Sequence, residues 1–311
     1  AGRELVASPA PRADAAVRHR LRPHLAQPSD APVRTRPVSD RSSAWLRSML
    51  VVERIRVGVN GAGGRLGASV CAAVRVADDL ELAAGVDPFA AGEHRSGLVN
   101  GGDLRTFADA GCDVVVDFTV AEAARTTLPW LAMHEMHAVV GTTGFDDADL
   151  ALFRSTFGDG PAHCVMAPNF AISAVLMMRL AELAAPFFDT AEIIEYHHDR
   201  KIDAPSGTAV ATAERLGAAR GDTPWPPDRT EHEVVSGARG GSGPGGVHVH
   251  SVRMHGMVAH QDVIFGAQGQ SLTIRQDSYD RDSFMPGVLL ACRRVGDHPG
   301  VTIGLEPLLG I

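Results

Sequence analysis

From Arg54 onward the period of hydrophobic and polar positions changes repeatedly, and the changes mark out elements. Arg54–Asn60 alternates with β-branched residues and predicts a strand. Gly61-Ala62-Gly63-Gly64-Arg65-Leu66-Gly67 follows without a break, and Ala68–Ala77 then reads as a helix. Leu80–Val86 predicts a second strand, closed by Asp87. Cys112–Phe118 (CDVVVDF) is apolar at successive positions, as in a parallel strand buried on both faces. A helix over Ala121–Met133, a strand over His137–Val140, a helix over Asp147–Phe157 and a strand over Ala162–Ala167 continue the alternation. Such a βαβα rhythm predicts a doubly wound, Rossmann-type parallel sheet.

The pattern shifts after Ile172. Ser173–Ala185 is a long apolar helix, Thr190–Tyr196 a strand and Ser206–Ala219 a second helix. Residues 221–246 are rich in Pro and Gly and predict a flexible loop. Val247–Arg253, Val258–Phe265 and Ser271–Gln276 are successive strands, and neighbours in sequence tend to pair antiparallel. They predict a mixed sheet with one face open to other subunits. Phe284–Arg294 is a last helix that returns to the first sheet. The fold class is therefore α/β: a Rossmann-type parallel-sheet domain plus a smaller α+β domain with a mixed sheet. The dinucleotide-binding domain spans 51–169 and is completed by 281–311; the substrate-binding and oligomerisation domain spans 170–280.

Residues 1–50 stand apart. They hold nine Arg against four acidic residues and sustain no period, so they read as a disordered extension before a folded protein that begins near Met49. An Arg-rich, acid-poor leader is also open to reading as an organellar transit peptide, but the apolar centre of a secretory signal is missing. Across all 311 residues the hydrophobic share is 45%, enough for a core, and no apolar run is long enough to span a bilayer. A net charge of −8 argues against a broad nucleic-acid surface. The four cysteines form no CxxC pair and read as buried thiols of a reducing compartment.

One compositional fact changes the picture more. Lysine and arginine total 29, yet Lys201 is the only lysine. Arginine stays protonated, whereas lysine is a compact ammonium of adjustable pKa. Lys201 falls within His197-His198-Asp199-Arg200-Lys201-Ile202-Asp203-Ala204-Pro205-Ser206-Gly207-Thr208. If the strand ends and a loop begins at the histidines, His197, His198 and Lys201 can converge. The Pro205-Ser206 helix entry offers free amides to an anion. Two imidazoles, an ammonium and a helix N-terminus suit a polyanion and a proton transfer. Zinc ligation by the paired histidines is the weaker reading, because no HExxH or Cys-His spacing accompanies them; no metal is expected.

The strand–glycine turn–helix–strand–acid order from Arg54 to Asp87 predicts dinucleotide binding. Glycines let the backbone approach a pyrophosphate, and Asp87, 20 residues beyond Gly67, is placed for a ribose hydroxyl. The loops Gly141-Thr142-Thr143 and Ala167-Pro168-Asn169-Phe170 end parallel strands, where such sheets bind ligands.

The segment Glu195–Ala209 closely resembles the signature of the 4-hydroxy-tetrahydrodipicolinate reductase (dihydrodipicolinate reductase) family. Further likeness runs from about Arg54 to Leu309, through Asp117-Phe118-Thr119, Gly141–Phe145, Ala167–Phe170, Val258–Gln261, Ser283–Val288 and Gly304–Leu308. The resemblance implies a cytoplasmic homotetramer in lysine biosynthesis. It would reduce a cyclic imine dicarboxylate with hydride from NADH, NADPH or both. By the same resemblance, His197 gives the proton, Lys201 assists and holds a carboxylate, and His198, Gly207 and Thr208 bind substrate. Gly61, Ala62, Gly63, Gly64, Arg65, Leu66, Asp87, Gly141, Thr142, Thr143, Ala167, Pro168, Asn169 and Phe170 match cofactor contacts. Pro88 stands where some members carry an arginine for the 2′-phosphate of NADPH, a charge Arg65 could supply, so NADH is expected to be accepted. A catalytically silent NAD-binding regulatory protein, or another Lys/His two-domain oxidoreductase, is the alternative.

Overall fold

The structure is a computed structural model and describes residues 54–95, 97–158 and 160–311. The expected disordered extension over residues 1–50 lies outside them, as does the expected start of the first domain at 51.

The chain runs β1 (Ile55–Asn60), α1 (Arg65–Val76), β2 (Leu80–Val86), β3 (His94–Arg95), β4 (Leu98–Val99), α2 (Arg105–Asp109), β5 (Val114–Asp117), α3 (Ala121–Met133), β6 (His137–Val140), α4 (Asp147–Phe157) and β7 (Cys164–Met166). It continues through α5 (Ile172–Ala184), β8 (Thr190–His197), α6 (Gly207–Arg220), β9 (Gly241–Ser242), β10 (His248–Arg253), β11 (Ala259–Ala267), β12 (Gln270–Ser278), α7 (Met285–Arg294), β13 (Val301–Ile303) and α8 (Glu306–Leu309).

Among the described residues, six parallel strands form one sheet in the order β13-β7-β6-β5-β1-β2. Its central strands β5, β6 and β7 are buried on both faces. In β5, Val114 and Val116 enter a core shared with α1 and α7, while Val115 enters the opposite core with Leu128, Leu131 and Phe153. The strand order reverses between β1 and β5, so the loops after these strands diverge and leave a crevice at the carboxyl edge. Asp146 caps α4 reciprocally with Asp149 through bonds of 2.9 and 3.1 Å, which sets its start.

The second sheet has the order β12-β11-β8-β10-β9 and is mixed. β11 pairs antiparallel with both β12 and β8, but β10 lies parallel to β8. The sequence neighbours β10 and β11 therefore do not pair with each other. β8 sits between them because its alternating Ile193, Val249 and Val263 partners share one buried face with α5 and α6. The Pro/Gly segment over 221–246 is also less free than its composition suggests. Arg239 bonds Glu192 at 2.7 Å and Asp228 at 3.1 Å, and β9 pairs with β10. α7 then crosses back to pack beside α1, and β13 extends the edge of the first sheet.

Candidate active site

The glycine turn after β1 is built for close backbone approach. Gly61 adopts φ +81°, a region open to glycine. A Cβ on Gly67 would strike the carbonyl oxygen of Gly61. α1 opens without a side-chain cap and without an acid in its first turn, so its amides and positive end remain for an anion. Asp87 closes the turn from β2, its carboxylate accepting from the amides of Gly63 and Phe89 at 3.0 Å each. Arg95 donates to the Gly63 carbonyl at 3.0 Å, a cation beside the turn that the sequence reading passed over in favour of the exposed Arg65. A groove of about 510 Å³ runs along Gly61, Gly64, Asp87, Phe89, Phe118 and Thr119. Its shape and donors fit a dinucleotide.

The strand-end loops are tied by one buried carboxylate. Asp117 accepts from Asn60 at 2.8 Å, from the Thr142 hydroxyl at 2.7 Å, and from Thr119 through its amide at 3.1 Å and its hydroxyl at 2.7 Å. The backbone at Gly141 leaves room for the Phe118 ring, which packs edge-on to Phe170 with centroids 5.7 Å apart. Gly141, Thr142 and Phe170 are thereby gathered at the carboxyl edge near the groove. Thr143 is exposed. Asp117 and Asn60 were legible only as the polar ends of apolar strands.

The His-His segment begins where β8 ends. Glu195 and His197 share the face of β8 that packs toward α6. Glu195 is fully buried, and four donors converge on it. His197 Nδ1 lies 2.6 Å from Oε2, Arg253 reaches both oxygens at 2.8 Å, and the Ser206 amide donates to Oε1 at 3.1 Å. Burial pushes the carboxyl up, but the His197 and Arg253 hydrogen bonds outweigh it and hold the pKa at about 2. After His197 the chain turns, Lys201 donating its amide to the His198 carbonyl at 3.1 Å. Lys201 Nζ meets both oxygens of Asp203 at 2.8 Å, which lowers the Asp203 pKa. Ser206 caps α6 by accepting from the Ala209 amide, so the helix begins at Gly207 and Pro205 lies before the cap. Gly207 is exposed with open space about its Cα.

Two hollows meet at His197. One, of about 490 Å³, is lined by His197, His198, Lys201, Tyr279, Arg281 and Phe284. The other is lined by His197, Ser206, Thr208, Asn169, His260 and Gln276. Asn169, from the loop after β7, donates to the Thr208 hydroxyl at 3.3 Å and joins the first sheet's carboxyl edge to the start of α6. Lys201 and Thr208 thus lie in different hollows, bridged by the imidazole. His198 Nδ1 is buried and has no hydrogen-bond partner. Among the described residues, no three His, Cys, Asp or Glu side chains form a set that could hold a metal ion.

A glycine-turn nucleotide groove on a doubly wound sheet, joined through Asn169 to an imidazole–ammonium cleft, defines a nicotinamide-dependent oxidoreductase of two sheets. The family model described as dihydrodipicolinate reductase, N-terminus, matches residues 55–170, and the corresponding C-terminus model matches 173–309. A 4-hydroxy-tetrahydrodipicolinate reductase of Nocardia farcinica is 52% identical over 260 residues, covering 83% of this chain and 99% of the relative. One of Corynebacterium aurimucosum is 51% identical over the same shares. A solved dipicolinate-bound dihydrodipicolinate reductase from Paenisporosarcina sp. TG-14 superposes with TM-score 0.74 at 36% identity, covering 82% of this chain and 99% of that one. The chain belongs to the dihydrodipicolinate reductase family.

Proposed function

We propose that the protein reduces 4-hydroxy-tetrahydrodipicolinate to tetrahydrodipicolinate, with loss of water, in the diaminopimelate route to lysine. The bound cofactor, NADH or NADPH, supplies the hydride. The residues from Gly61 to Leu66 receive the pyrophosphate on backbone amides. Asp87 faces the ribose, and the loops at Gly141–Thr143 and Ala167–Phe170 border the nicotinamide end. The small dicarboxylate spans the two hollows. One carboxylate lies on Lys201 and His198, the other on the amides of Gly207 and Thr208. Asp203, more than half exposed, can yield the ammonium to the first carboxylate. The buried, orphaned Nδ1 of half-buried His198 is a polar atom that a ligand can satisfy.

His197 supplies the proton. Hydride addition leaves negative charge on the substrate, and an imidazolium at the junction of the hollows can quench it. Holding both carboxylates fixes the reacting carbon against the cofactor. The observation that carries this reading is the position of His197, which alone among the two histidines and the lysine lines both hollows. The Paenisporosarcina relative, described as dipicolinate-bound, supports a planar dicarboxylate as the ligand class.

The active form is a cytoplasmic homotetramer assembled through the second sheet, whose face opposite α5 and α6 carries Ile194, Tyr196, Asp262 and Arg275. Among the described residues no helix is long and apolar enough to cross a membrane. The test of function is a nicotinamide-absorbance assay with freshly prepared substrate and each cofactor in turn. Turnover with NADH is expected. No oxidation of either cofactor at high enzyme concentration would overturn the assignment.

A further inference from the structure

Glu195 lines neither hollow, yet it is fully buried between the second sheet and α6. Burying an ion pair is seldom the most stable way to join a strand to a helix; apolar side chains of similar volume do as well. The geometry points instead to the reacting groups. An ionised carboxylate only accepts hydrogen bonds, so the 2.6 Å contact requires a proton on His197 Nδ1. The neutral ring is then the Nδ1–H tautomer, and Nε2 is the nitrogen left to exchange a proton with substrate. The other oxygen holds the Ser206 amide at 3.1 Å, immediately before the amides of Gly207 and Thr208. Arg253 clasps both oxygens and also donates to the Asp203 carbonyl at 2.7 Å, at the end of the loop that carries Lys201.

We propose that Glu195 is a positioning residue of the reaction, fixing the tautomer of His197 and its spacing from the carboxylate-binding end of α6, with Arg253 extending that control to the Lys201 loop. The inference rests on the reading of His197 as proton donor. It deepens that reading by locating what aims the ring.

The double substitution E195Q/R253M removes both buried charges together, so neither is left alone. Near-UV circular dichroism establishes folding, and fluorescence titration follows NADH binding. In the folded variant kcat is expected to fall about 100-fold or more, with the Kd for NADH within about threefold of wild type. In a His197→Ala background the same pair should lower kcat by less than about threefold, because groups acting as one unit are not additive. A wild-type kcat in the folded variant, or a full multiplicative loss in the His197→Ala background, overturns the proposal. Imidazole 15N NMR of the wild-type protein decides it even if the variant does not fold. Along a pH titration, the His197 signal, assigned by its loss in His197→Ala, should show that the neutral form of the ring keeps its proton on Nδ1; a neutral form that keeps it on Nε2 overturns the proposal. A wild-type enzyme that fails to oxidise NADH with substrate refutes the function, whereas the tautomer still judges Glu195 separately.

Discussion

At the scale of single residues, the candidate chemistry combines local partners, such as Lys201 with Asp203, and distant ones, such as Glu195 with Arg253. Lys201 stands out in the composition as the only lysine, and in the structure its side chain is held by Asp203. Lys201→Ala is expected to lower kcat by roughly 100-fold while the Kd for NADH stays near wild type, since the glycine turn is untouched. Steady-state kinetics with a binding titration check this, and wild-type turnover would remove Lys201 from the mechanism. Glu195 makes a second prediction. Its folded pKa of about 2 lies below its ordinary value of 4.5, so it stabilises the fold above that ordinary value. The contribution disappears as pH falls through the folded value. Between pH 4.5 and about 2 the protein should lose on the order of 3 kcal/mol from this group. Urea unfolding at successive pH values should show a smaller loss over this window in E195Q/R253M.

At the scale of elements, the strongly patterned segments were legible because local rules and burial agree in them. Leu80–Val86, Ala121–Met133, His137–Val140 and Asp147–Phe157 have the bounds their hydrophobic periods predict. α1 starts three residues before the expected Ala68, because Gly64 is extended and the helix begins directly at Arg65. The short edge strand Val301–Ile303 has no pattern of its own and exists because β7 offers it a partner. The glycine turn yields a test at this scale. Gly67→Ala places a methyl against the backbone of Gly61 and Ala62, which cannot rotate away. The Kd for NADH, measured by fluorescence titration, should rise about tenfold or more while the second sheet keeps its circular dichroism.

At the scale of the molecule, two sheets with separate cores meet where Asn169 touches Thr208, and the proposed reaction site straddles that junction. The outer face of the second sheet is the surface assigned to the proposed assembly. Tyr196, Asp262, Arg275 and Asp277 form a continuous polar chain there, with Ile194 beside it. Light scattering is expected to report a tetramer, and Ile194→Arg to shift it toward smaller species, because a charge at the centre of a buried interface is poorly tolerated. A monomeric wild-type protein would contradict the assembly.

The sequence by itself determined the class of fold, the nucleotide turn and the cluster of His197, His198 and Lys201. Those features rest on contacts within a few residues, which periodicity and spacing express directly. Only the tertiary structure decided that β10 pairs with β8, that Asp117 gathers the strand-end loops, and that Glu195 and Arg253, 58 residues apart, clasp beneath His197. Such pairings depend on which faces the packed helices bury. A residue's type shows what it can bond, but its partner is chosen by the three-dimensional path of the chain.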